Sequence, residues 1–298
     1  MSTTSLKLLA LITMTIDHIG QFIPSMPIYF RWIGRISGPL FIFCTMWGFY
    51  YTSNRKKYLV RMYLAQVLMA FMNLYLNNHM LPNYDQYMAN NIFVTLFLIC
   101  IIIAIIECMI NTPHTGRKYL LLFSIWQLLS TVIIIFSNSI LPNSNVDYLF
   151  YGAIFGNIFF NEGGVPFILL GLLLYFCKNN KKLLLTIYPL FCITYFTISF
   201  FSIVARTMHR MSRYLTGRSY NPVRILMSLS GFDVAFITPI SMEYFLTFHF
   251  GWAMLFALPF MLIYNNQKGK GLKYLFYLFY PIHILILYCI GNLLSMIQ

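Results

Sequence analysis

Apolar stretches long enough to cross a lipid bilayer recur along the whole chain, and they restrict its fold more than any other feature. A hydrocarbon core of roughly 30 Å needs about 20 consecutive, mostly apolar residues in a helix. Such runs lie near 5–24, 33–52, 58–76, 92–110, 119–137, 183–205, 249–264 and 273–295. Lipid offers no partner to a backbone N–H or C=O, so a span of this length satisfies its own backbone as a helix. Composition agrees: of 298 residues, 59% are hydrophobic and only 9% charged, which removes the soluble globular class. The sequence therefore predicts an all-α protein, a polytopic integral membrane helical bundle with about nine transmembrane helices and a range of roughly 8 to 11. No internal repeat, low-complexity tail or soluble domain is visible, so residues 1–298 read as one membrane domain. The first apolar run contains Asp17-His18 with no small-residue cleavage site after it, and it is expected to stay attached rather than be removed as a signal peptide.

The stretch 148–177 allows two readings. Two short apolar pieces flank Asn161-Glu162-Gly163-Gly164-Val165-Pro166, a sequence rich in helix breakers, so it crosses once with a broken half or twice with short helices. Short cytoplasmic loops collect Lys and Arg. Asn54-Arg55-Lys56-Lys57, Arg117-Lys118, Lys178 to Lys182 and Lys268 to Lys273 alternate with the nearly uncharged loops 77–90 and 138–147. That alternation puts the N-terminus in the cytoplasm and favours one net crossing at 148–177. Arg206, Arg210, Arg213, Arg218 and Arg224 disobey it, since the same count places them outside.

Several function classes lose their support. The formal charge of +13 would suggest nucleic acid in a soluble protein, but basic cytoplasmic loops are what membrane topology demands, and no nucleic-acid partner is expected. Cys44, Cys100, Cys108, Cys177, Cys192 and Cys289 form no CxxC or Cys/His spacing, and no metal is expected. The absence of a Walker loop, GxGxxG fingerprint, HExxH helix or GxSxG elbow removes the usual marks of nucleotide, dinucleotide, zinc-protease and serine-hydrolase chemistry.

Ionisable groups inside a span are costly and more often functional than decorative. Asp17 and His18 lie about twelve residues into the first run, near the bilayer middle at 1.5 Å per residue. His283 lies about ten residues into the last run, and both runs start from the cytoplasm in this topology, so His18 and His283 share a depth. Asp17 and His18 point about 100° apart on a helix; one faces a cavity while the other anchors a neighbour. A neutral imidazole removes a proton from an amine or hydroxyl at neutral pH, and a carboxylate can orient it. The alternative for each group is a buried side chain satisfied by interhelical hydrogen bonds. Arg31 and Arg35 flank Trp32-Ile33-Gly34, and Arg55 and Arg61 flank the start of the third span. Arginine forks suit phosphate and carboxylate, although at helix ends they also snorkel to the interface.

Specific strings carry a resemblance. Leu6-Lys7-Leu8-Leu9-Ala10-Leu11-Ile12-Thr13-Met14-Thr15-Ile16-Asp17-His18-Ile19-Gly20 is similar to the first helix of the TraX family, bacterial membrane proteins named for a conjugation protein that acetylates the N-terminus of pilin. The likeness continues through Arg31-Trp32-Ile33-Gly34-Arg35-Ile36-Ser37-Gly38-Pro39-Leu40-Phe41, Gly48-Phe49-Tyr50-Tyr51-Thr52 and Asn91-Ile92-Phe93-Val94-Thr95-Leu96. It ends in Tyr264-Asn265 and Lys273-Tyr274-Leu275-Phe276-Tyr277-Leu278-Phe279-Tyr280-Pro281-Ile282-His283. The family often has Gly after Tyr-Asn, where this chain has Asn266, and residues 206–248 look like an expansion.

The resemblance implies a multi-pass acyltransferase of the bacterial cytoplasmic membrane that takes an acetyl group from acetyl-CoA. It makes His18 the favoured general base, Asp17 its orienting or packing neighbour, and His283 the second ionisable candidate. Arg31 and Arg35 become candidates for the acyl donor or the oxyanion, because a developing negative charge needs fixed donors. Arg55, Lys56, Lys57 and Arg61 become candidates for the phosphates of coenzyme A. Asn91 and Tyr280, within the matching strings, join the substrate-binding set. The expected partners are acetyl-CoA, a peptide or glycan acceptor and membrane lipids. Two other classes stay open: a transporter or proton-coupled channel, since intramembrane His and Asp also make proton relays, and a non-catalytic partner of a secretion or conjugation apparatus.

Overall fold

Long helices begin where a small polar side chain can take up a backbone N–H that has no partner in the first turn. Ser2 accepts from the N–H of Ser5, Asn54 from that of Lys57 and Asn180 from that of Leu183. These residues open α1 (Thr3–Phe22), α4 (Arg55–Asn78) and α9 (Lys181–Phe200). The computed structural model describes residues 1–79, 87–140, 148–214 and 220–297, and among them there is no strand. The other helices are α2 (Tyr29–Gly34), α3 (Ser37–Tyr50), α5 (Ile92–Asn111), α6 (Pro113–Ile140), α7 (Tyr148–Phe155), α8 (Gly164–Cys177), α10 (Ile203–Met211), α11 (Tyr220–Ser228) and α12 (Met242–Thr247). A 3₁₀ segment (Phe250–Ala257) then leads into α13 (Leu258–Leu262), and α14 (Lys273–Ile297) closes the series. Loops 77–90 and 138–147 fall partly, and Arg218 wholly, outside the described residues.

Among the described residues, five helices are long and apolar enough to cross a membrane: α4, α5, α6, α9 and α14. On α6, Leu121, Leu128, Val132 and Phe136 are each more than 60% exposed, an apolar surface suited to lipid. The remaining expected runs differ in instructive ways. Residues 5–24 form α1, whose Lys7, Asp17, His18 and Gln21 lower its apolar character. The run 33–52 is interrupted at Arg35 and Ile36, and α3 reaches about 21 Å at 1.5 Å per residue, short of the hydrocarbon thickness. The run 249–264 is split between the 3₁₀ segment and α13.

The chain forms two compact units, residues 1–44 with 176–298 and residues 45–175, the division falling inside α3 and α8. Residues 148–177 form two helices of 8 and 14 residues, each shorter than a full crossing. Non-helical backbone is tolerated at membrane depth only where protein satisfies it, and here side chains do so. The amide of Gln127 donates to Gly156 O and accepts from the N–H of Ile158; Asn157 accepts from that of Phe159. Pro166 stands in the first turn of α8, where its missing N–H costs nothing. Gln66 on α4 donates to Ala153 O on α7, and Thr95 on α5 donates to Asn161.

In the first unit α1 packs against α2 and α14, and α9 packs against the 3₁₀ segment and α13. The N-terminal ammonium donates to Ile263 O, the Thr3 hydroxyl meets that of Tyr264 at 2.9 Å, and the N–H of Thr3 donates to Gln267 O. Asn266 in this docking loop has φ +58°. That left-handed conformation favours glycine and is tolerated next best by Asn.

Candidate functional site

The site forms where α1 meets α2 and α14. His18 and His283 are 4% and 6% exposed, and His18 Nδ1 lies 2.7 Å from His283 Nε2. The two histidines are therefore in direct contact. The direction of the hydrogen bonds follows from the end of the chain. His283 Nδ1 is 2.7 Å from Phe279 O, one turn earlier in α14. A carbonyl only accepts, so Nδ1 carries the proton and His283 Nε2 in its neutral form accepts from His18 Nδ1. The lone pair of neutral His18 is then on Nε2. A proton gained there is supported by His283 and, behind it, by the Phe279 carbonyl. Tyr280, 5% exposed, lies with its ring 6.3 Å from that of His18 and 5.7 Å from that of His283. Pro281, two residues before His283, lacks the N–H that an interior helical residue would donate.

Asp17 points the other way, as adjacent helical residues must. Its carboxylate pairs with Arg31 at 2.9 Å and Arg35 at 3.1 Å, and Arg31 also donates to Asp17 O. Of the two roles open to Asp17, this geometry has it anchoring α2 and the arginines. Close packing makes the pairing possible: a Cβ on Gly34 would lie 2.2 Å from Asp17 Cβ, and one on Gly20 would lie 2.8 Å from Phe30 Cβ. Two guanidinium groups on one carboxylate leave one net positive charge. Both stand over the Phe250 ring, 5.8 Å for Arg31 and 4.9 Å for Arg35. Arg35 Nε is buried without a hydrogen-bond partner among the described residues, a donor available to an oxyanion or phosphate oxygen.

Arg55, Lys57, Arg61 and Asn91 belong to the second unit and take their partners there. Arg55 pairs with Glu107, which also accepts from the Tyr175 hydroxyl at 2.5 Å. Lys57 is exposed, and Arg61 stands over the Tyr58 ring at 6.0 Å with a buried, unpartnered Nε. Asn91 donates to Gln66 O, and its own N–H donates to Glu162. Arg55 is thus committed to an ion pair, whereas Lys57 and Arg61 retain donors for an anionic ligand. Phe250, the floor under the arginines, is a residue that sequence reasoning did not single out. It sits in an apolar run, and nothing local distinguishes a ring under a guanidinium from a ring in a core.

A family model described as TraX protein matches residues 2–222. The match covers Asp17, His18, Arg31 and Arg35 and ends before His283. No curated protein and no solved structure matches the chain.

Proposed function

The chain belongs to the TraX family, and we propose that it is an integral membrane acyltransferase that moves an acetyl group from acetyl-CoA to an amine or hydroxyl. The observation that carries this reading is the buried relay from His18 through His283 to Phe279 O, next to a carboxylate that holds two arginines. His18 Nε2 takes the proton of the acceptor as its nitrogen or oxygen bonds to the acetyl carbonyl carbon. The C–S bond of the thioester breaks, and the departing thiolate receives the proton. The surplus positive charge of the Arg31–Asp17–Arg35 cluster and the buried Arg35 Nε suit the oxyanion or the phosphates of the donor.

Purified protein with acetyl-CoA and an acceptor is expected to release the free CoA thiol in step with a product heavier by one acetyl group. Substrate movement across proteoliposomes without thioester consumption would favour a transporter. The same reading puts the N-terminus in the cytoplasm, on the support of the loop charges. Single cysteines at Ser53 and Asn179, in a chain freed of its own cysteines, are expected to label from the cytoplasmic side, and one at Asn78 from outside. An external Asn179 would reverse the assignment beyond 148–177.

A further inference from the structure

Ser202, at the turn from α9 into α10, holds φ +47° and ψ +42°, a left-handed conformation that non-glycine residues seldom occupy. Such residues persist where their surroundings over-determine them, and they gather at ligand clamps. Here Thr238 and His249 surround it. The N–H of Thr238 donates to Ser202 Oγ at 3.2 Å, the two hydroxyls are 2.9 Å apart, and Thr238 Oγ1 lies 2.7 Å from His249 Nε2. Arg206 supports the turn from behind, donating to Phe201 O and Thr238 O.

This chain of two hydroxyls and an imidazole lines a cavity of about 200 Å³ whose other walls include Tyr195, Phe232 and Phe248. Phe236 and Phe248 are 73% and 59% exposed, so the aromatic rim opens outward. Size narrows the occupant: an apolar cavity of about 150 Å³ admits benzene, and pockets for drug-sized ligands begin near 300 Å³. One substituted six-membered ring fits. Polarity narrows it further. With His249 Nε2 as acceptor, the protons run from Ser202 to Thr238 to His249; with Nε2 protonated the chain reverses, and the Ser202 hydroxyl is turned outward as a donor. A chain that reverses suits a ligand hydroxyl, which both donates and accepts, better than an ammonium that only donates or a carboxylate that only accepts. Among the described residues no Lys or Arg lines the cavity and the acidic one is Asp233, which accepts from the N–H groups of Ala235 and Phe236.

We infer that this cavity holds one hexopyranose ring, whose hydroxyls meet the Ser202–Thr238–His249 chain and whose C–H faces lie on the aromatic walls, so that the acetyl acceptor is a glycan. The inference rests on the acyltransferase reading for its chemistry: a ring hydroxyl oxygen bonds to the acetyl carbon, its proton passes to the base, and the CoA thiolate leaves. Position agrees. Phe250, the residue after His249, lies under Arg31 and Arg35.

The test uses the full chain in a detergent without a sugar head group, with methyl hexopyranosides and alaninamide as probes in saturation-transfer NMR. A hexopyranoside is expected to bind through its ring protons while alaninamide does not. Thr238→Val should weaken binding about tenfold or more, and Thr238→Ser should restore it. Val204→Trp, which fills the cavity, should abolish binding; if that variant fails to fold, the Thr238 pair decides. Failure of every hexopyranoside to bind natively melting protein, unchanged binding in Thr238→Val, or alaninamide binding in their place overturns the inference. Hexopyranoside binding without any thioester consumption would leave the pocket standing and remove the acyltransferase reading. Acetylation of an amine with no hexopyranoside bound would do the reverse.

Discussion

The first unit buries an aspartate, two histidines and much of two arginines, whereas the second buries mainly neutral amides and hydroxyls: Gln66, Asn73, Asn91, Thr95, Gln127, Ser130, Asn157 and Asn161. The amides do the work of loop closure and helix attachment. Asn157, fully buried, donates to the hydroxyls of Ser130 and Thr131 while accepting from the N–H of Phe159. A neutral amide satisfies donors and acceptors without the desolvation cost of a charge, so it suits a scaffold. Ionisable groups are tolerated only with partners. Those of the first unit are paired in a way that leaves a surplus cation. Under the proposed function, the contrast puts the chemistry in the first unit and architecture in most of the polar residues of the second.

The largest expected effect is on His18. His18→Ala should lower CoA release per folded molecule by about 10² to 10⁴-fold, with melting behaviour close to the parent. Near-parental turnover would move the base out of the first unit and end the contrast. Asp17→Asn comes next, because it leaves two guanidinium groups without their carboxylate. Breaking a buried pair costs about 3–5 kcal/mol, and with Asp17 and the arginines 11%, 20% and 32% exposed the loss should shrink to about 1–3 kcal/mol. Unfolding in mixed micelles measures it, and an unchanged midpoint would show that the cluster does not hold α1 to α2.

Asn157→Ala should cost about 0.5–2 kcal/mol of stability and leave turnover per folded molecule unchanged. A selective fall in kcat would bring the second unit into the chemistry. The smallest effect belongs to the surface. Arg210→Gln combined with Arg213→Gln removes two exposed charges at the end of α10 and should shift stability by less than about 0.5 kcal/mol. It should also weaken the salt-sensitive binding of added anionic lipid to the detergent-solubilised protein. A change in turnover instead would tie these arginines to the active centre.

Much of the helical frame was legible because its causes are local. Apolar runs over 58–76, 92–110, 119–137, 183–205 and 273–295 correspond to helices among the described residues that are able to span, and Asn54 and Asn180 cap two of them as short polar residues before apolar periodicity should. The breaks inside the runs 33–52 and 249–264 were not legible, because hydropathy registers how apolar a segment is and not where its backbone turns. Gly34 and Ser37 flank one break, and the other run is wound partly as a 3₁₀ helix.

For the site, the sequence determined that Asp17 and His18 stand at one depth on diverging faces, since rise per residue and angular spacing are properties of any α-helix. Only the tertiary structure decided which face met which partner. Asp17 and Arg31 are fourteen positions apart, His18 and His283 are 265, and Ser202, Thr238 and His249 converge from a helix turn and two loops. No periodicity links such residues. Their meeting depends on close approaches such as Gly34 against Asp17 and on the N-terminal residues docking onto the loop at Asn266. Those contacts form only when distant helices pack, because a side chain's partner is chosen by three-dimensional proximity that local sequence does not encode.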